Sequence, residues 1–103
     1  LRNILTTGKY TNAVYVKQFE DIYRKFFKVK YCVAVNNGTS ALHLSLLAMG
    51  IQKGDEIIVP SLTFIASIAA IKYIGAKPIF VDVNNDDWLI KPHVIQKFIT
   101  KKF

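Results

Sequence analysis

One cysteine, Cys32, is the whole thiol content of the chain. No disulfide framework is possible within one copy, and Cys32 reads as a small hydrophobe inside the apolar stretch YCVAV. Acidic side chains are also scarce, 7 against 14 Lys and Arg, for a formal net charge of +7. Such an excess suggests nucleic acid or a membrane surface as partner, but its distribution argues otherwise. Residues 1–30 carry seven basic against two acidic side chains and residues 91–103 four against none, whereas residues 31–90 carry three against five. The excess lies at the ends, so neither nucleic acid nor membrane is expected as a partner. Residues 31–52 lack charge altogether, a run long enough for the roughly 18 to 20 residues of a membrane span, but Asn36 to Ser40 would strand a polar turn in lipid. No signal peptide is expected either, because the basic start runs into TTGKYTN instead of an apolar block. A cytoplasmic protein is the default.

Proline and glycine are few, 3 and 5, and no repeat or low-complexity linker breaks the chain. With 51% hydrophobic residues over 103 positions, one small domain with a core is expected. The chain starts at Leu1 rather than Met, and residues 98–103 break off in lysines and aromatics, so it reads as a single partial domain, a piece of something longer.

Phe19, Ile22, Tyr23 and Phe26 fall on one face of a helix expected over residues 14–27, with Glu20–Arg24 and Asp21–Lys25 as i,i+4 pairs on the solvated face. Residues 31–35 read as a strand buried on both faces. A helix over 39–49 is apolar nearly all round, so it should be covered on more than one side. A second buried strand over 56–59 stops at Pro60. A helix over 62–74 follows, capped by Gly75, then a strand over 77–83, a loop over 84–87, and a short helix over 92–99 that begins with Pro92. Strand, helix, strand, helix, strand over residues 31–83 predicts two βαβ units on a mostly parallel sheet with flanking helices, an α/β fold.

In such a sheet ligands bind beyond the carboxyl ends of the strands. Residues 36–40, 60–64 and 82–84 arrive there, where the apolar pattern gives way to polar side chains. Gly38 permits a tight turn, and Thr39 and Ser40 place two hydroxyls and successive amides at a positively polarised helix N-terminus, a cradle for phosphate. The same residues also serve as a plain helix cap on an Asn-Gly turn. The lysine of a Walker loop and the repeated glycines of a dinucleotide turn are missing. On the second segment, Ser61 and Thr63 are cap candidates. Phe64 is either core or a plate for a flat heteroaromatic ligand. Cradle and plate together would suit a planar phosphorylated cofactor.

The stretch GTSALHLSLLAMGIQKGDEIIVPSLTFIASIAAIKYIGAKPIFVDV, residues 38–83, resembles the N-terminal part of the DegT/StrS family. These are pyridoxal-phosphate-dependent aminotransferases of nucleotide-sugar and polysaccharide synthesis. The resemblance implies the N-terminal part of the large domain of a type I PLP-dependent transferase, with pyridoxal 5'-phosphate as cofactor. Gly38, Thr39 and Ser40 would hold its phosphate and Phe64 would stack on its ring. It also implies a nucleotide-linked keto sugar and an amino-acid donor such as glutamate as substrates, and a homodimer as the full-length form. LTTGKYTNAVYVKQFE is similar to the family's opening segment, although Asn12-Ala13 stand where members often have Gly-Pro, and no substrate role is carried onto Tyr10 or Thr11. His43 and Cys32 are read as packing, and Asp82 as a strand-end residue that hydrogen bonds the following loop. No metal site is expected. The family's Schiff-base lysine and the aspartate facing the pyridinium nitrogen belong downstream of Phe103, and Lys53, Lys72 and Lys77 do not match that lysine, so these 103 residues alone are expected to be inactive. Lysine-free relatives carry out dehydrations. Two other readings stay open: a non-catalytic remnant or stand-alone phosphate-binding α/β module, and a basic nucleic-acid binder with only weak, salt-sensitive retention.

Overall fold

The computed structural model describes Thr6, Gly8 and residues 13–99; the readings made on Tyr10, Thr11, Asn12 and most of the opening segment lie outside the described residues. The chain divides into two compact units, Leu1–Val35 and Asn36–Phe103.

In the first unit, helix α1 spans Ala13–Phe27. Its aromatic stripe is real: the rings of Phe19 and Tyr23 lie 4.3 Å apart and those of Tyr23 and Phe27 5.8 Å. The face stands open, with Phe26 78% exposed. The ion pairs differ from expectation. Asp21 pairs with Arg24, three residues on, at 3.3 Å, and Glu20 instead accepts the Ala34 amide at 2.8 Å. The helix closes through Lys28, whose φ of 53° puts it in the left-handed region, while Val29 N–H reaches back to the Arg24 carbonyl, a Schellman-type ending that usually uses glycine.

Residues 31–35 form no strand. The expected burial on both faces fails as well, since Tyr31 is 75% and Val33 64% exposed. A strand exists only through a ladder partner, and the sheet pairs only β1, Glu56–Pro60, with β2, Lys77–Val81. The βαβ units expected therefore reduce to one among the described residues.

That unit organises the second half of the chain. Helix α2, Gly38–Ala48, leads through left-handed Gly50 and a turn in which Asp55 Oδ2 accepts the Gln52 amide at 2.7 Å. Strand β1 runs through helix α3, Ile65–Ile74, into β2. The strands pair in parallel from Glu56 opposite Lys77 to Pro60 opposite Val81, with a Lys77–Glu56 ion pair of 3.0 Å across the first rung. Val59, Ile71 and Ala76 form the core, with Leu46, Ile51, Ile57 and Ile68 packed against it. The apolar run of β1 thus buries mainly Val59. Helix α2 has no buried residue. Packing against α3, where His43 and Tyr73 meet edge to face at 5.6 Å, covers one side of a helix whose sequence called for cover on several.

Helix α4 is a single turn, Pro92–Ile95, shorter than the expected 92–99. The three residues after it continue as turns, with Lys97 and Phe98 amides bonded three residues back. The preceding loop is closed by reciprocal backbone bonds between Asn84 and residues 88 and 89.

Candidate functional site

The register of the ladder decides where the loops emerge. Because Pro60 faces Val81 at the last rung, the segments beginning at Ser61 and Asp82 leave the same edge of the sheet side by side. All three polar segments were expected at this carboxyl edge, and the ladder brings two of them there, because residues 31–35, which precede the third, form no strand. The bonds that hold the third, residues 36–40, run within that segment and its own helix.

At the start of α2 the cap is Asn37, not Thr39 or Ser40. Its backbone is extended (φ −162°, ψ 168°), and its Oδ1 accepts the Ser40 amide at 2.8 Å. Ser40 in turn donates its hydroxyl to Asn36 Oδ1 at 2.9 Å, and the Ala41 amide reaches the Asn37 carbonyl at 3.1 Å. The signal for this cap was present in the sequence, since asparagine ranks with aspartate and serine at this position and lies three residues before the amide that it binds. What the cap leaves open matters more. The amides of Gly38 and Thr39 and the Thr39 hydroxyl have no partner among the described residues, and the first amides of a helix are donors without intrahelical acceptors.

Gly38 does not serve the tight turn expected of it. Its φ is not in the left-handed region, and a Cβ built there meets nothing within 4 Å. Nothing among the described residues requires glycine here. A Cβ there would stand in open space.

Phe64 is not core. It is 77% exposed at the N-cap of α3, and its carbonyl accepts the Ser67 amide at 3.1 Å. Ser61 and Thr63 do not cap that helix. Ser61 turns to the neighbouring strand end, its amide donating to the Val81 carbonyl at 2.9 Å and its hydroxyl approaching Asp82 Oδ1 at 3.4 Å. The Thr63 hydroxyl meets that of Ser67 at 3.3 Å. Asp82 also accepts the amide of Val83 at 2.9 Å, as expected of a strand-end residue holding its own loop. Among the described residues no group of side chains could hold a metal ion, and no helix is long and apolar enough to cross a membrane.

The profile of the DegT/DnrJ/EryC1/StrS aminotransferase family matches residues 1–103. The chain belongs to this family. It is 52% identical over 88 residues to the GDP-perosamine synthase of Escherichia coli O157:H7, covering 85% of this chain and 24% of that protein. Among solved structures it is similar to NtdA from Bacillus subtilis with bound cofactor PMP, with a TM-score of 0.87, 38% identity, and coverage of 98% of this chain and 23% of the other. It is also similar to the E. coli GDP-4-keto-6-deoxy-D-mannose-3-dehydratase with bound hydrated PLP, with a TM-score of 0.85, 29% identity, and coverage of 97% and 27%. The chain spans about a quarter of the length of the curated relatives it matches. Family membership gives the open donors of α2 and the exposed ring of Phe64 a common ligand chemistry to be tested.

Proposed function

We propose that the whole protein is a pyridoxal-phosphate-dependent aminotransferase that moves an amino group from an amino acid such as glutamate to a keto group on a nucleotide-linked sugar. A GDP-linked sugar is the first choice, given the likeness to GDP-perosamine synthase. These residues would belong to the large domain of a type I transferase, cytoplasmic and dimeric when complete. The observation that carries the proposal is the start of α2, where two amides and one hydroxyl have no partner among the described residues and open space surrounds the position that a Gly38 side chain would take.

The residues fit the cofactor. When bound, pyridoxal phosphate supplies the electron sink and the carrier of the amino group. The work of this chain is to bind and orient. The amides of Gly38 and Thr39 and the Thr39 hydroxyl donate to phosphate oxygens, helped by the positive end of the helix. Ser40 can join once its hydroxyl turns from Asn36 to the ligand. Phe64 offers a ring face for stacking. Lys77 is committed to Glu56, and the reactive lysine is assigned to the part of the protein outside these residues.

In the full-length protein, Thr39→Ala/Ser40→Ala should weaken pyridoxal phosphate binding, followed by absorbance titration, about tenfold or more, with little loss of thermal stability. Unchanged affinity would return the segment to a plain cap. The likeness to a dehydratase structure supports one alternative reaction, and product analysis separates the two: an amino sugar for transamination, a deoxy keto sugar for dehydration.

A further inference from the structure

Phe64 is an exposed aromatic whose loop is fixed at both ends. At the near end Ser61 is tied to β2 by its amide on the Val81 carbonyl and by its hydroxyl on Asp82. At the far end Thr63 and Phe64 are tied to Ser67 in the first turn of α3. Nothing in the core requires this arrangement, since Ser61, Phe64 and Asp82 all lie at the surface. A ring left in water gains nothing for stability from a rigid mount, whereas a stacking partner does, because holding the ring in place beforehand removes part of the ordering cost of binding.

We infer that Asp82 and Ser61 are positioning residues that fix the loop bearing Phe64 for contact with the cofactor ring. The inference rests on the stacking reading of Phe64 proposed above. Asp82 is the hub, since one carboxylate oxygen accepts both the Ser61 hydroxyl and the Val83 amide, joining the ends of β1 and β2 above their last rung. The phosphate seat at Gly38–Ser40 uses other donors, so loss of the hub should be felt by the ring and not by the phosphate.

The test uses the full-length protein and two probes, pyridoxal phosphate followed by absorbance and inorganic phosphate measured as its competitor. Asp82→Ala should weaken pyridoxal phosphate about three- to tenfold, as expected for loss of bonds of this kind, and leave the inhibition constant of inorganic phosphate unchanged. Asp82→Asn keeps an acceptor oxygen and should restore most of the affinity. Ser61→Ala, which removes a single hydroxyl, should act in the same direction to a smaller extent and serves where Asp82→Ala folds poorly. Phe64→Ala is the control: if it leaves affinity unchanged, the stacking reading fails and this inference falls with it. If Phe64→Ala weakens binding while Asp82→Ala and Ser61→Ala do not, the positioning role alone is overturned. A parallel loss of phosphate and pyridoxal phosphate affinity also overturns it, because the effect would then be general destabilisation.

Discussion

Asn37 Oδ1 sits 2.8 Å from the amide of Ser40 and closes the first turn of α2, so the helix is capped before any ligand arrives. This separates the two roles that one short segment can play. Stability should depend on Asn37, whose replacement by alanine is expected to cost about 1 kcal/mol, whereas the donors proposed to take an anion belong to Gly38 and Thr39. Urea unfolding of Asn37→Ala would check the first half. A loss no larger than that of Thr39→Ala would mean that the side-chain cap is not what holds the turn.

Gly38→Ala tests the second half from the opposite direction. With an ordinary φ and no atom within 4 Å of the added carbon, alanine should be tolerated or even stabilise α2, by up to about 1 kcal/mol on helix propensity. On the proposed reading the same carbon would crowd a phosphate that approaches this backbone. The expected outcome is an unchanged or raised melting temperature together with pyridoxal phosphate binding weakened about tenfold or more. An alanine variant that binds as well as the parent would show that the open space in front of α2 is not the phosphate seat.

How much of this was legible in the sequence follows from how local each signal is. The pair β1 and β2 and the helix between them stood out because short β-branched runs are bounded by Gly54, Pro60 and Gly75, and each of those breaks acts within a few residues. Residues 31–35 carry the same apolar signature, yet no ladder partner among the described residues makes them a strand, and partnership is a non-local property that composition does not encode. For the same reason the all-round apolarity of α2 identified a helix in need of cover without saying what covers it. At the candidate site, the polar segment 36–40 and the aromatic Phe64 could be picked out as residue types, but the division between Asn37 as cap and Gly38–Thr39 as open donors needed geometry. The ties from Ser61 to Val81 and Asp82 span some twenty residues and are set by the ladder register, which no short motif announces.

Two left-handed positions should respond in opposite directions. Gly75 ends α3 at φ 82°, and a Cβ there would lie 3.2 Å from Lys53 Cγ. Gly75→Ala should therefore destabilise the βαβ unit by about 1 to 2 kcal/mol from backbone strain, the flexible lysine giving way at little further cost. Lys28 holds the same kind of position at the end of α1 with a side chain attached, at φ 53°. Lys28→Gly should be neutral or gain up to about 1 kcal/mol, since relief of strain is partly offset by the freer unfolded chain. Denaturant midpoints for the two variants provide the check, and equal losses at both sites would contradict the left-handed assignments.

The loop before α4 should give stability a carboxylate-dependent step in acid. Asp87 accepts from the Lys91 ammonium, from the Leu89 amide at 3.1 Å and from the Asn84 side chain at 3.3 Å. These contacts, the lysine's first, hold its carboxyl below the ordinary value of 3.8, against an opposing effect of desolvation. A carboxyl whose folded value lies lower than its unfolded one stabilises the fold above the unfolded value, and that contribution disappears as pH falls through the folded value. The group is open to solvent, so the step should be small and should shrink further in high salt. Comparing melting temperatures of the parent and Asp87→Asn across the acid range should show a difference that is constant at neutral pH and fades below about 3.8. Lys91→Met should move the Asp87 titration, followed by NMR, back up toward the ordinary value. A parent–variant difference that persists undiminished at the acid extreme would mean that the loop is held by its backbone bonds between Asn84 and residues 88 and 89, with the ion pair contributing nothing.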